Sequence, residues 1–240
     1  MRLRNIPAAK EFVAQSPLAL DEAAALAKAG AWRFAFPNQG PLHLEIGAGR
    51  GRFLAESALA SPDLNFLGLE LREEMIMQAL AKLASAPANL LFLWMNAARL
   101  GEVFAPGEVD LIYLNFPDPW PKARHAKRRL TAPDFLAMYG RILKPGGALR
   151  FKTDNPALFQ WTELNFSAAG WQILERETDL PLARSGIVTE YESRYRRQGQ
   201  PIYYIAACPP EKAVEKIESD DIKRNLNKAQ PESGTKLAAD

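Results

Sequence analysis

A short segment rich in proline, Asn115–Lys122, contains the residues best suited to chemistry in this 240-residue chain. Its three prolines stand at alternate positions, which excludes a helix and regular strand pairing and predicts a stiff loop. The loop fixes a carboxylate, Asp118, between two prolines and near the indole of Trp120. Residues 122–129 follow with five Lys or Arg in eight positions. An acid in a rigid aromatic loop beside a cationic strip favours a nucleic-acid base held for chemistry, with its phosphates bound next to it.

A glycine turn marks a second candidate site. The apolar run Leu42–Ile46 predicts a buried strand, and residues 47–51 connect it to a helix. Glycines in such a turn let a ligand approach the backbone at the start of the helix. They stand at the first, third and fifth positions, a spacing typical of S-adenosylmethionine sites rather than of the dinucleotide fingerprint. The three glycines are Gly47, Gly49 and Gly51.

Polar residues end the next two predicted strands. The strand Asn65–Glu70 closes on Glu70, about twenty residues after the glycines, where an acid can accept hydrogen bonds from both ribose hydroxyls. The strand Leu90–Met95 is followed by Asn96. The amide oxygen of Asn96 either accepts from an adenine amino group or forms a simple Asx turn, and the spacing leaves both open.

Strands and helices continue to alternate after the loop, which predicts an α/β domain. Ala148–Asp154 reads as a strand with Asp154 at its exit. Residues 178–200 form a polar insertion that contains Thr189–Glu192 and the basic run 194–197. We expect three regions: an N-terminal extension at 1–35, an α/β domain at 36–210, and a polar tail at 211–240, partly disordered.

Composition excludes several classes. The net charge is +2, so the basic signal is local, and the single cysteine, Cys208, excludes an internal disulfide and a Cys-rich metal site. No apolar run approaches membrane-spanning length, and the N-terminus lacks the apolar core of a signal peptide. We therefore expect a cytoplasmic protein with no membrane association, no metal and no obligate protein partner.

The chain resembles the bacterial tRNA (guanine-N7-)-methyltransferases over about residues 36–208. The resemblance rests on residues 44–51 and 66–70, and above all on the proline–tryptophan loop joined to the basic strip. Lys152–Asp154 and Thr189–Glu192 extend it. There are two departures: Asn96 stands where the family commonly has an acid, and Ala126 interrupts the basic strip.

This resemblance implies a Rossmann-like class I methyltransferase fold with a seven-stranded, mostly parallel sheet and an antiparallel last strand. It implies transfer of a methyl group from S-adenosyl-L-methionine to N7 of guanine 46 in the tRNA variable loop. The implied cofactor residues are Glu45, Gly47, Gly49, Gly51, Glu70, Asn96 and Asp118, with Asp118 also the catalytic or base-orienting acid. The implied substrate residues are Lys122, Asp154, Thr189, Glu190, Tyr191 and Glu192. The implied RNA-binding residues are Arg124, His125, Lys127, Arg128 and Arg129.

The chemistry agrees with these roles. Guanine N7 carries a free lone pair, so the enzyme must mainly position the base and stabilise the developing positive charge. A carboxylate can accept from N1–H and the 2-amino group of guanine, and Asp118, Asp154 and Glu192 are the candidates. Two alternatives stay open: a methylase directed at an exocyclic amine, suggested by Asn115 before an aromatic–proline pair, and an RNA-binding module without activity.

Overall fold

The computed structural model describes residues 6–83 and 87–211, which build one sheet with helices on both of its faces. The strands are β1 Ala19–Asp21, β2 Leu42–Ile46, β3 Asn65–Glu70, β4 Leu90–Trp94, β5 Val109–Asn115, β6 Leu143–Thr153, β7 Gln172–Glu177 and β8 Tyr203–Cys208. The helices are α1 Ala9–Ala14, α2 Glu22–Leu26, α3 Arg52–Ala60, α4 Glu73–Lys82, α5 Leu100–Val103, α6 Pro133–Ile142, α7 Pro156–Ala168 and α8 Glu190–Arg197. Apart from Glu211, the predicted tail 211–240 lies outside the described residues.

The sheet has eight strands within the described residues, in the order β1-β4-β3-β2-β5-β6-β8-β7. Strands β1 to β6 pair in parallel, whereas β8 runs antiparallel to both neighbours, which confirms the predicted mostly parallel sheet with an antiparallel last strand. The predicted number of seven strands is wrong, because Ala19–Asp21 adds an edge strand in which Leu20 pairs with Leu93. A strand of three residues is too short to show alternation, so its sequence is not distinguishable from the Ala-rich helix after it.

Two hydrophobic cores lie on opposite faces of the sheet, because successive strand residues point to opposite sides. On one face, Leu67 and its neighbours pack with α6 and α7, where Leu136 and Phe159 are buried. On the other face, Phe66 packs with α3 and α4, where Leu54 is fully buried. Since helices cover both faces, the loops at the carboxyl ends of the parallel strands are the natural place for a binding site.

Residues 6–35 pack on this same sheet. Trp32 is 1% exposed, its indole N–H donates to the carbonyl oxygen of Val103 at 2.6 Å, and its ring lies 5.2 Å from that of Phe104. Phe34, two residues later, is 64% exposed. The boundary predicted at residue 36 stays a prediction, but the segment before it contributes a large side chain to the core.

We expect Trp32→Ala to lower the free energy of unfolding by about 3–5 kcal/mol, because it opens a cavity in a packed core. Phe34→Ala is the matched control, and loss of its exposed ring should change the free energy by no more than about 0.5 kcal/mol. Urea unfolding followed by circular dichroism measures both variants. Similar small losses for the two would show that Trp32 does not anchor the N-terminal segment.

Candidate active site

The turn between β2 and α3 brings three glycines to left-handed φ angles of 83°, 56° and 70°. Gly51 is required by packing, since a Cβ atom there would lie 2.8 Å from the Cβ of Ala79. Gly47 differs, because a Cβ atom there would meet nothing within 4 Å in the described part of the chain. A glycine beside open space lets a ligand approach the backbone closely. Gly51 therefore seats α3, and Gly47 borders the space where a cofactor is expected.

Glu70, the last residue of β3, holds this turn through its carboxylate. Its Oε2 accepts from the backbone N–H of Gly49 at 3.0 Å. Its Oε1 accepts from the N–H groups of Leu71 and Arg72 at 2.9 and 3.0 Å. A carboxylate offers about four acceptor positions, so one remains open for a ligand hydroxyl. The residue predicted to contact the ribose thus also shapes the turn beside it.

Glu45 is a deeply buried acid at the end of β2, with 3% of its surface exposed. Its Oε1 accepts from the side-chain amide of Asn115 at 2.8 Å. Its Oε2 is buried and has no hydrogen-bond partner among the described residues. Burial raises the pKa of Glu45 to about 8; the hydrogen bond from Asn115 opposes the rise, and the charge of Glu70 adds to it. An orphaned buried oxygen of this kind fits a site that receives a polar ligand.

Asn96 follows β4 and is exposed at the tip of that strand. Its side-chain oxygen accepts from the backbone N–H of Ala98 at 2.9 Å and caps a single 3₁₀ turn. This is the Asx-turn arrangement that the sequence left open. The same oxygen keeps a second lone pair, so a contact with adenine stays a prediction.

The loop after β5 has a strained backbone. Phe116 and Trp120 adopt φ angles of 54° and 41°, although neither is a glycine. A bulky residue in this region costs about 1–3 kcal/mol and persists only where its surroundings impose it. The backbone N–H of Phe116 donates to the carbonyl oxygen of Lys152 at 2.8 Å, which fixes the start of the loop to β6. Asp118 lies between the two strained residues, exposed and without a hydrogen bond to any described residue.

The basic strip divides into two kinds of residue. Lys122, Arg124, Lys127 and Arg128 are exposed on and before the 3₁₀ helix Ala123–Arg128. Arg129 is half-buried instead, and it donates from Nε to the carbonyl oxygen of Pro119 and from Nη2 to that of Trp120, each at 3.1 Å. Arg129 therefore holds the end of the strained loop, whereas the four exposed cations face solvent.

His125 and Arg128 also contact the loop. The ring of His125 stands edge-on to Trp120 at 5.6 Å, and the guanidinium of Arg128 lies 5.0 Å from the same indole. These contacts place the indole inside the basic strip. A planar aromatic surface surrounded by cations suits the stacking and backbone binding of single-stranded RNA.

Helix α8 is attached to the sheet by a buried acid, Glu192, which is 0% exposed. Its Oε2 lies 3.1 Å from Nζ of Lys152, and its Oε1 accepts from Nε and Nη2 of Arg196 at 2.9 and 2.7 Å. The hydroxyl of Ser185 donates to the same Oε1. Burial lowers the pKa of Lys152, and the charge of Glu192 opposes this shift. Because both oxygens are occupied inside the protein, Glu192 is an anchor in this structure, and its role in substrate binding stays a prediction.

The rest of the segment Thr189–Glu192 is used in different ways. Thr189 caps α8, since its hydroxyl accepts from the backbone N–H of Glu192 at 3.0 Å. Glu190 pairs with Lys82 at 2.7 Å and with Arg50 of the glycine turn at 3.6 Å. Tyr191 is 55% exposed. Helix α8 thus reaches from the end of β6 to the glycine turn, and Tyr191 is the side chain of this segment most open to a substrate.

Asp154 brings the end of β6 into the same region. Burial raises the pKa of Tyr195 on α8, and the charge of Asp154 adds to the rise, so these two side chains are neighbours. The ring of Tyr195 stacks on Phe116 with centroids 6.0 Å apart and an interplanar angle of 25°. The strained loop after β5, Asp154 and α8 therefore meet at the carboxyl edge of the sheet.

The chain is similar in sequence to known proteins. A family model described as "Putative methyltransferase" matches residues 39–205. The tRNA (guanine-N(7)-)-methyltransferase of Lachnoclostridium phytofermentans is 41% identical over 211 residues, which cover 86% of this chain and 98% of that protein. The chain belongs to the tRNA (guanine-N7-)-methyltransferase family.

Solved structures of lower identity share the fold. The 16S rRNA methyltransferase KamB superposes with a TM-score of 0.56 at 20% identity, covering 74% of this chain and 91% of that chain. A mutant 16S rRNA (adenine(1408)-N(1))-methyltransferase from Catenulisporales acidiphilia, solved with its cosubstrate SAM, gives a TM-score of 0.50 at 16% identity. It covers 85% of this chain and 91% of that chain. The Rossmann-like methyltransferase fold predicted from the sequence is confirmed.

Three residues that take part in the contacts of the site were not predicted from the sequence as site residues. Asn115 positions Glu45, Lys152 meets the buried acid of α8, and Arg196 shares that acid. Asn115 and Lys152 carried a usable signal, since each is a polar residue at or near the carboxyl end of a strand. Arg196 carried none, because Arg194 and Arg197 belong to the same basic run and are of the same type.

Two other kinds of feature are not found in the described parts of the chain. No group of three or more His, Cys, Asp or Glu side chains there could hold a metal ion. Among residues 6–83 and 87–211, no helix combines the length and apolarity needed to cross a membrane.

The anchor role of Glu192 predicts a large effect on stability. Glu192→Ala should lower the free energy of unfolding by about 3–5 kcal/mol, because it leaves buried cations without their acid. Glu190→Ala, two residues earlier in an exposed ion pair, should cost less than about 1 kcal/mol. Chemical denaturation of both variants provides the comparison. If Glu192→Ala is as stable as the wild type, Glu192 is not an anchor, and its carboxylate is available for substrate binding.

Proposed function

We propose that the protein transfers a methyl group from S-adenosyl-L-methionine to N7 of guanine 46 in the variable loop of tRNA. The observation that carries this proposal is the strained loop, where Asp118 has no hydrogen-bond partner among the described residues and lies beside a strip of exposed cations. Family membership supports a guanine-N7 product on tRNA. The methyl donor and the nucleotide position are inferred from the site and from the resemblance together.

The cofactor fits the residues at the carboxyl ends of β2 and β3. S-adenosyl-L-methionine carries an ammonium, two ribose hydroxyls and an adenine, and when bound it supplies an electrophilic methyl group. The buried oxygen of Glu45 suits the ammonium, since it has no partner among the described residues. Glu70 suits the ribose because one acceptor position remains open. The turn at Gly47, Gly49 and Gly51 provides backbone access, and Asn96 offers an acceptor for adenine.

The base would lie at the loop after β5. Asp118 is exposed and its backbone is fixed by flanking prolines, so its carboxylate is already directed before substrate arrives. It would accept from the donor edge of guanine and offset the positive charge that develops on the purine. Asp154 lies close enough to the same region to assist, because it neighbours Tyr195, which stacks on Phe116.

The tRNA would be bound by the exposed cations of the strip. Lys122, Arg124, Lys127 and Arg128 face solvent and would contact phosphates, with His125 beside the indole. Arg129 contributes indirectly, through the loop carbonyls it holds. In the segment Thr189–Glu192 we retain Tyr191 as a direct substrate contact. Because its substrate would be tRNA, we propose that the enzyme acts in the cytoplasm.

The test is methyl transfer to an unmodified tRNA transcript, with labelled S-adenosyl-L-methionine and identification of the nucleoside by mass spectrometry. We expect 7-methylguanosine, and its loss in a transcript with adenine at position 46. Methyl groups on an exocyclic amine would favour the amine-directed alternative. Binding of tRNA without any transfer would favour the RNA-binding module.

Asp118→Asn keeps the shape of the side chain but removes its charge and turns one acceptor into a donor. We expect the chemical step to slow by about a hundredfold or more, with tRNA affinity retained, since the cationic strip is unchanged. Single-turnover kinetics at saturating cofactor and tRNA measures this step. Asp134→Asn, an exposed acid in the next helix, is the control and should react at the wild-type rate. A rate within a fewfold of wild type for Asp118→Asn would move the catalytic role to Asp154.

A further inference from the structure

One hydrogen bond joins the cofactor side of the site to the strained loop after β5. Glu45 lies at the end of β2, immediately before the glycine turn, and Asn115 is the last residue of β5. The amide of Asn115 donates to Oε1 of Glu45 at 2.8 Å. The next residue is Phe116, where the strained loop begins. The hydrogen-bond partner of Glu45 is therefore the residue directly before the strained loop that carries Asp118.

The surroundings of Glu45 do not support a charge. The side chain is 3% exposed, receives one hydrogen bond, and has a second oxygen that is buried without a partner in the described residues. A buried carboxylate in this condition is unfavourable, and protonation is the usual relief.

The neighbouring charges do not relieve the burial. Glu70 on β3 is the acid whose charge acts on Glu45. Tyr113 on β5 senses the charge of Glu45, and burial is the main cause of the raised pKa of this tyrosine. Lys152 on β6 is committed to Ser185 and Glu192. No described cation is paired with Glu45, so its ionised form would be stabilised only when a positively charged ligand binds.

We propose that Glu45 is a neutral carboxylic acid in the cofactor-free protein, and that Asn115 holds it so that its free oxygen receives the ammonium of the cofactor. On binding, the O–H bond of Glu45 breaks and its proton goes to solvent, while the ammonium keeps its own proton and no covalent bond forms. Asn115 is a positioning residue in this step. The proposal rests on the proposed use of S-adenosyl-L-methionine.

A neutral Glu45 also makes the stability of the ligand-free protein depend on pH. Burial raises the pKa of Glu45 to about 8, so the stability that the neutral form contributes is lost as the pH rises through that value. The thermal midpoint of the ligand-free wild type should therefore fall more between pH 7 and pH 9 than that of Glu45→Gln, which cannot ionise. Parallel pH profiles for the two proteins would overturn a neutral Glu45.

The direct test is calorimetry with S-adenosyl-L-homocysteine, which has the same amino-acid part and cannot react. Titrations at pH 6.5 in buffers of different ionisation enthalpy should report about one proton released per ligand bound. The affinity should rise about tenfold from pH 6 to pH 7, where an α-amino group with a pKa of about 7.7–8.0 is still protonated. Glu45→Gln should release no proton and show a flat profile over this range.

Asn115→Ala tests the positioning role. Loss of the hydrogen bond that stabilises the charged form should raise the pKa of Glu45 further, so the rising limb of the affinity profile should extend to higher pH than in the wild type. An unchanged profile would show that Asn115 does not position Glu45. Wild-type binding without proton release would overturn the neutral acid while leaving the proposed function intact, whereas no ligand binding would overturn both.

Discussion

The backbone strain in the loop after β5 is the constraint on which the active site depends. Phe116 and Trp120 sit in a left-handed conformation that neither side chain favours, so the surrounding fold must hold them there. Two contacts do this: the carbonyl oxygen of Lys152 binds the start of the loop, and Arg129 binds its end through two carbonyl oxygens. The backbone on both sides of Asp118 is consequently held in place by the fold.

Three acids near the carboxyl edge of the sheet lie in three different environments, and each environment suits a different task. Glu45 is buried with one donor, Glu70 receives three backbone N–H groups, and Asp118 is open to solvent. A buried acid can respond to a cationic ligand, a backbone-bound acid can hold a turn and a ribose together, and an exposed acid can meet a base. Helix α8, fixed by the buried acid Glu192, closes the side of the site next to the loop.

The sequence predicted the parts of the site whose geometry follows from local spacing, namely the glycine turn and the position of Glu70 after it. It predicted a stiff proline loop but not the left-handed φ angles of Phe116 and Trp120, because contacts with Lys152 and Arg129 hold them. The sequence could not separate Arg129 from Lys127, since both belong to one basic run and only the folded loop shows which cation is turned inward. It also could not show that Glu192 is buried, because that depends on an insertion folding back onto β6.

The central claim, that the fold holds the loop in its active shape, is tested most directly by Arg129→Met. Its single-turnover rate at saturating tRNA and cofactor should be compared with that of Lys127→Met, an exposed cation of the same strip. The account predicts that Arg129→Met slows the chemical step by at least about tenfold with tRNA affinity nearly unchanged, whereas Lys127→Met weakens affinity and keeps the rate. Wild-type chemistry with weakened tRNA binding in Arg129→Met would contradict it.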